Sequence, residues 1–290
     1  MTGPRAALRV ARSVLAVLRR PLYVPPGHFY SPSTSRKDIT RAVAGRGVGT
    51  TLGIDLRAAE QRALVQKLVP LWKGLPTTAA DGWRYRPDNL MFGPSDAVIY
   101  HSVLRHFRPE RIIEVGSGFS SAIALDTVDR HLPDVRLTFV EPYPQRLLSL
   151  LTAADRTRTT LLARPVQDVP LSLYEGLRAG DVLFIDSTHV VKAGSDVIWL
   201  ILEVLPRLAP GVLVHVHDVF WPFEYPESWL WQGRDWTEAY LLRAFLAYNH
   251  AFEILLFSSW LWQEEPELVR THLPHSVGHE PGSLWLRKTA

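Results

Sequence analysis

The chain has 290 residues, of which 47% are hydrophobic and 21% charged, enough apolar material for a large buried core in one domain or two. It contains no cysteine, which excludes disulfides, thiolate metal sites and cysteine nucleophiles together and fits a reducing, cytoplasmic setting. The formal net charge of +3 is unevenly spread, because residues 1–50 hold nine Lys or Arg against Asp38 alone and the rest of the chain is mildly acidic. That acidic body has no basic stripe with interleaved aromatics, so nucleic acid is not an expected partner.

In chain order, residues 5–20 (RAALRVARSVLAVLRR) space their apolar residues as an amphipathic helix does. The longest apolar run there, Val14–Leu18, is five residues and far too short to span a membrane. Such a helix can dock on its own domain, pair with a second copy in a homodimer, lie on a membrane surface, or remain a disordered basic leader. Residues 21–50 are rich in Pro and Gly and read as mostly loop, with at most a turn of helix. A helix is expected over Asp55–Lys67 with Asp55 as its N-cap, then a Pro/Gly/Asp/Asn-rich loop over 76–94, then a helix capped by Ser95 or Asp96 and running to Phe107. The domain division that follows places an N-terminal helical cap segment at 1–94 and the main domain at 95–290.

From Arg111 onward strands and helices alternate. Strands are expected at 111–115, 137–141, 159–163, 181–186, 211–216, 252–257 and 283–288, with helices at 119–131, 144–153, 171–178, 195–207 and 235–249. Val182–Ile185 and Val212–Val216 are almost wholly apolar, as strands covered on both faces are. The expected fold is α/β, a seven-stranded, mostly parallel sheet with one antiparallel strand from a final hairpin, and helices on both faces.

The run RIIEVGSGFSS at Arg111–Ser121 is a strand, a sharp glycine turn and a helix start, and Gly116 and Gly118 are where backbone could approach a ligand. Glu141 ends the next strand, within reach of ribose hydroxyls. Gln167 and Asp168, then Asp186–His189, then His215–Asp218 follow the later strands on the same edge, where ligands of open α/β sheets bind. Each of these clusters alone reads equally well as a capped helix start; together on one edge they point to a site. Asp186, His189, His217 and Asp218 could also collect a divalent metal, and their histidines would suit a transition ion.

The Glu-Val-Gly-Ser-Gly-Phe run, with FIDSTH and HVHDVFWPFEYP further on, resembles the class I, Rossmann-like S-adenosylmethionine-dependent methyltransferases, specifically a bacterial small-molecule group. The resemblance covers about Pro94–Lys288 and extends loosely to GHFYSP and RPDNLMFG. It implies a Rossmann-like sheet and S-adenosylmethionine as cofactor. Glu114, Gly116, Ser117 and Gly118 would sit at its methionine and ribose side, Glu141 at the ribose, Asp168 at the adenine and Asp186 at the methyl-transfer end. Where a third glycine is often found in that family, Ser120 stands here. Catechol-type methyltransferases also resemble the chain in placing aspartates at the fourth and fifth strand ends, where magnesium binds. The asparagine they carry close behind the second aspartate is replaced by Val219, Phe220 and Trp221.

His189 and His217 are the candidate bases for an oxygen or nitrogen acceptor, with Asp186 as their companion. Phe220–Trp236 holds seven aromatic residues, and Pro222 and Pro226 argue against a helix through it. It reads as a lid, an insertion at 219–234, over an apolar or aromatic small-molecule substrate, lined by Trp221, Phe223, Tyr225 and Trp229, with Tyr30, Tyr85 and Asn89 as further wall residues. The competing reading of the same aromatics is a dimer contact or a satellite core. Two other functions stay open on sequence alone: a nicotinamide-dependent oxidoreductase, disfavoured by Ser121 at the third fingerprint glycine, and a non-catalytic adenosine-ligand binding protein.

Overall fold

All seven expected strands form: β1 (Arg111–Val115), β2 (Arg136–Val140), β3 (Thr160–Leu162), β4 (Val182–Ile185), β5 (Leu213–His217), β6 (Phe252–Phe257) and β7 (Ser283–Lys288). They make one sheet in the order β3-β2-β1-β4-β5-β7-β6, in which β7 alone runs antiparallel to its neighbours. In the computed structural model, residues 22–45, 51–76, 78–272 and 280–290 are described, so the expected helix at 5–20 lies outside the described residues. Two compact units are present: Gly47–Tyr225 with Trp236–Ala290, which holds the sheet, and Met1–Arg46 with Pro226–Asp235.

The registers explain where the sheet ends. Val115 stands level with Val140 on one side and Ile185 on the other, and Ile185 with Val216, so the residues that follow these strands emerge side by side. Every residue of β4 is buried, because the sheet is covered on both faces. Each such aliphatic side chain contributes about 1.5–3 kcal/mol by leaving water. The strand therefore acts as a fixed floor under its polar tip.

Helices are, in order, α1 (Arg36–Gly45), α2 (Ala58–Leu68), α3 (Pro94–Phe107), α4 (Phe119–His131), α5 (Gln145–Leu150), α6 (Ala153–Arg158), α7 (Leu171–Glu175), α8 (196–207), α9 (Glu227–Trp231), α10 (Glu238–Leu246), α11 (Ser258–Glu264) and α12 (Pro266–His272). Several differ from the expected boundaries for physical reasons. Asp55 accepts the Arg57 amide at 2.9 Å in a turn before α2 rather than capping it. Helix α3 starts at Pro94 after Gly93, which frees Asp96 for tertiary bonds. The expected helix at 144–153 breaks at Leu151, and Thr152 restarts it by accepting the Asp155 amide. Helix α8 is continuous but carries a π turn at Leu200–Val204. The final hairpin is replaced by a long connection, since α11 and α12 lie between the paired strands β6 and β7.

The other unit contains α1 and α9, two helices that the loop-like composition of their segments conceals. Ser35 and Asp38 bond reciprocally at the start of α1, with each amide donating to the other's side chain at 3.2 Å. Thr34 donates its amide to Asp235 at 2.9 Å, joining the two sequence segments of this unit.

Candidate active site

The turn after β1 is built on Gly116. Its φ of +79° is in the left-handed region, and an added Cβ would fall 1.7 Å from the Asp186 carbonyl oxygen, so only glycine fits. Gly116 donates its amide to Val140 at 3.0 Å, and Asp186 donates to Val115 at 2.8 Å, which locks the tips of β1, β2 and β4 together. Gly118 has extended backbone, and a Cβ there would meet only the flexible Arg146 side chain.

Glu114 is wholly buried at the end of β1, where its Oε1 accepts hydrogen bonds from Ser120 and Ser121, both at 2.7 Å. The two serines that interrupt the glycine pattern thus hold an acid in place. Burial pushes the Glu114 carboxyl up to about 8, against the pull of both hydroxyls. Its Oε2, like the Ser117 hydroxyl, has no hydrogen-bond partner among the described residues. Glu141 accepts the Ser117 amide at 3.1 Å through one oxygen and the Tyr143 amide at 2.7 Å through the other.

A cleft of about 380 Å³ opens beside this turn, walled by Gly116, Glu141 and Tyr143 on one side and Asp186, Thr188 and Asp196 on another. That volume is in the range of small-molecule sites. Val166 and Gln167 also line it, whereas Asp168 is exposed and is not among the lining residues. Glu114, Ser117 and Gly118 are likewise not among the lining residues, while the glycine turn at Gly116 and the Glu141 carboxylate at the neighbouring strand end, both in the cleft, fit a bound nucleoside.

Asp186 also belongs to a second group. It meets His189 and Asp218, with one ligand atom from each lying within 4.8 Å of the others. His189 Nε2 stands 3.4 Å from Asp186 Oδ1 and 3.7 Å from Asp218 Oδ2. Both distances fall under the roughly 4.2 Å ceiling for two atoms each about 2.1 Å from one ion, so His189 can share an ion with either aspartate, and two carboxylates with an imidazole are a donor set that suits a divalent metal. His189 and Asp218 reach these positions through left-handed backbone, with φ of +61° and +56°. Burial alone would lower the pKa of His189, but the hydrogen bonds to Asp186 and Glu238 and the charge of Asp218 reverse that and raise it well above the usual value.

The fourth candidate of that group, His217, is buried with its Nε2 3.6 Å from Asp218 Oδ1, and its Nδ1 has no hydrogen-bond partner among the described residues. Burial works to lower its pKa, yet Asp218, Asp186 and Asp96 together raise it. Asp96, freed from capping, accepts the Gly282 amide at 3.1 Å beneath the site. His215 is a different kind of histidine. It stacks on Phe184 at 3.9 Å, and burial drives its pKa well below the ordinary value, so it is a neutral core residue.

The expected substrate wall separates into three sets. Tyr85 is fully buried and donates its hydroxyl to the Phe92 carbonyl at 2.9 Å, while Asn89 closes the same loop by accepting the Phe92 amide at 2.7 Å. This brings the Phe92 ring to 5.0 Å from His217. Trp221 donates its amide to Ser259, and Phe223 and Tyr225 are buried, Phe223 against Phe257 at 5.2 Å and Tyr225 through its hydroxyl, which accepts the Ala239 amide at 3.0 Å. Tyr30 and Trp229 lie in the other unit, where Tyr30 packs beside Phe29 at 4.4 Å and Trp229 under Arg234 at 4.0 Å. Sequence reasoning named Asp96 only as a possible helix cap and did not single out Phe92 or Glu238. Asp96 and Glu238 leave only a weak cue, acids in the first turns of their helices, and Phe92 in its loop leaves none.

A doubly covered α/β sheet with a glycine turn after its first strand, a carboxylate at its second and a cleft over their tips defines the class I, Rossmann-like methyltransferase architecture. Residues 113–219 match the model of a family described as a methyltransferase domain. An uncharacterized protein of Archaeoglobus fulgidus is 37% identical over 163 residues, covering 53% of this chain and 73% of that one. The chain therefore carries a methyltransferase domain of the class I, Rossmann-like architecture. That match favours methyl transfer over the nicotinamide alternative.

Similar solved structures include the methyltransferase PaMTH1 of Podospora anserina, bound to S-adenosylhomocysteine, at 16% identity and a TM-score of 0.44 over 83% of this chain and all (100%) of that one. The O-methyltransferase TomG of Streptomyces achromogenes, involved in tomaymycin synthesis, is 15% identical with a TM-score of 0.43 over 80% of this chain and 90% of that one. Among the described residues no helix is long and apolar enough to cross a membrane.

Proposed function

We propose that this methyltransferase acts on an oxygen or nitrogen of a small, apolar or aromatic molecule and that Asp186, His189 and Asp218 hold a divalent ion at the acceptor. The observation that carries the reading is that Asp186 belongs both to the cofactor cleft and to the His189–Asp218 group. Cofactor and acceptor chemistry then meet at one side chain.

Bound S-adenosylmethionine supplies an electrophilic methyl group on a sulfonium, so transfer depends chiefly on holding a nucleophile in line. A divalent ion on the three ligands would orient an acceptor oxygen and favour its deprotonated form. Glu141 would hold the ribose hydroxyls and Glu114 with Ser117 the amino-acid tail, with Gln167 rather than Asp168 standing at the base. His217, 3.6 Å from Asp218 and 5.0 Å from the Phe92 ring, would exchange a proton with the acceptor, its neighbouring carboxylates favouring the protonated form. Phe92 would form an apolar wall for the acceptor. We keep 95–290 as the methyltransferase domain and 1–94 as its cap, and we infer a cytoplasmic homodimer in which residues 5–20 are available to a membrane surface or a second copy.

Calorimetric titration with S-adenosylmethionine tests the cofactor half of this reading. The wild-type protein should bind at micromolar concentration, and Gly116→Val, whose side chain would occupy the place of the Asp186 carbonyl, should lose at least about 100-fold in affinity. Unchanged binding in that variant would displace the cofactor from this cleft. A panel of phenols, alcohols and amines, read by mass gain of 14 in the product for one CH2 added per methylation (about 14 Da, by the replacement of H with CH3), identifies the acceptor atom.

A further inference from the structure

His189 is gripped from one side by the start of α10, a segment some fifty residues away in the chain. Thr237 and Glu238 donate their amides to the His189 carbonyl at 2.9 and 3.1 Å, and the Thr237 hydroxyl accepts the Val191 amide at 2.7 Å. The Trp236 ring lies 4.3 Å from the imidazole. The Glu238 side chain, 1% exposed, places Oε2 2.9 Å from His189 Nδ1. Its Oε1 has no hydrogen-bond partner among the described residues.

A carboxylate at Nδ1 can only accept, so Nδ1 carries the proton and Nε2 presents its lone pair to Asp186 and Asp218 when the ring is neutral. A histidine ligand backed by a carboxylate is oriented and made more basic, and loss of such a partner typically weakens metal binding by about 10–100-fold. A burial as deep as that of Glu238 is hard to explain by packing alone, because a carboxyl buried with one oxygen unpartnered is costly.

We propose that Glu238 is the positioning residue of this site: it fixes His189 with Nε2 toward Asp186 and Asp218 and so gives the centre one nitrogen ligand and a preference for first-row transition ions over magnesium. The inference rests on the reading of Asp186, His189 and Asp218 as a metal centre. Imidazole suits iron, nickel, copper and zinc, with cobalt between iron and nickel in affinity, whereas magnesium favours oxygen ligands and keeps much of its water.

The test uses the full chain freed of metal by a chelator and titrated with Co²⁺ and, separately, Mg²⁺, with thermal unfolding of each metal-free variant as a check of folding. The wild-type protein should bind Co²⁺ at least about 100-fold more tightly than Mg²⁺. Glu238→Ala should lose about 10–100-fold in Co²⁺ affinity and change its Co²⁺ absorption spectrum, and Glu238→Gln, whose amide oxygen still accepts from Nδ1, should recover most of both. Wild-type Co²⁺ protein should also show a hyperfine-shifted, exchangeable Nδ1–H proton, a readout that needs no variant. Unchanged affinity and spectrum in Glu238→Ala, or absence of that proton, would overturn the role of Glu238. Equal binding of the two ions would overturn the nitrogen-ligand assignment while leaving a divalent centre in place. No binding of either ion would remove the metal centre itself.

Discussion

Two buried charge clusters in this protein answer to opposite demands. Around Arg84, the guanidinium meets Asp126 at 2.9 Å, Asp129 at 2.8 Å and Asp155 at 2.8 Å, and the backbone amides of Arg84 and Tyr85 also donate to Asp126. Arg158 closes the group from Asp155 at 2.7 Å. Around Asp186, by contrast, Asp186 and Asp218 share His189 at 3.4 and 3.7 Å, His217 stands 3.6 Å from Asp218, and His217 Nδ1 and Glu238 Oε1 are left without partners among the described residues. The first cluster is saturated and ties the loop at 78–93 to α4 and α6. The second is held open by the surrounding fold. Saturation marks a charge that stabilises, and an open set marks one kept for a ligand.

The comparison breaks first at Arg84. Arg84→Met should cost about 3–5 kcal/mol in urea unfolding, since it takes from two fully buried aspartates the cation they share and leaves Asp126 chiefly backbone amides, whereas Asp218→Asn should leave stability within about 1 kcal/mol of wild type and abolish methyl transfer. Equal losses of stability in the two variants would erase the distinction. A sharper probe is Glu114, a buried acid with only half its carboxyl paired. Its pKa is raised from 4.5 to about 8 in the folded chain. The folded state therefore binds more protons than the unfolded state across that window, and stability falls as pH rises through it by at most about 1.4 kcal/mol per pH unit from this group. Glu114→Gln should flatten that slope between pH 5 and 8, taken as approximate bounds of the window, in denaturation curves measured without cofactor. The smallest effect belongs to Tyr85→Phe, expected to cost about 1 kcal/mol, because Asn89 Nδ2 still donates to the Phe92 carbonyl at 2.9 Å. A loss of several kcal/mol there would show that the Tyr85 hydroxyl, and not Asn89, holds the loop over His217.

Much of the sheet was legible because its strands are short apolar runs ending in polar tips, and a strand buried on both faces leaves that mark in sequence. The turn at Gly116 and the convergence of Asp186, His189 and Asp218 were legible for the same reason: strand ends fix side chains by register. The serines at 120 and 121 read as departures from a glycine pattern, and only the packed structure reveals that their hydroxyls hold Glu114. Glu238 was not legible, since its partner lies on another element and a glutamate in the first turn of a helix usually just favours the helix dipole. The aromatics of 220–225 carried two readings from sequence. Phe223 and Tyr225 are buried against Phe257 and α10, and composition alone does not distinguish a residue facing a cleft from one facing the core.

The contact between Gly116 and the Asp186 carbonyl has a consequence for anyone who would retune this enzyme. The backbone that shapes the cofactor turn and the backbone that carries the acceptor-side aspartate touch without a side chain between them. They are fixed to each other at the strand tips, by this close approach and by the Asp186 amide donated to Val115. On the proposed function, acceptor preference would be recut by changing side chains such as Phe92, and an insertion or deletion in either strand-tip loop would move the proposed cofactor and acceptor seats at once. Laboratory evolution of new acceptors should therefore accumulate its changes in the 86–93 loop and spare 115–117 and 185–187.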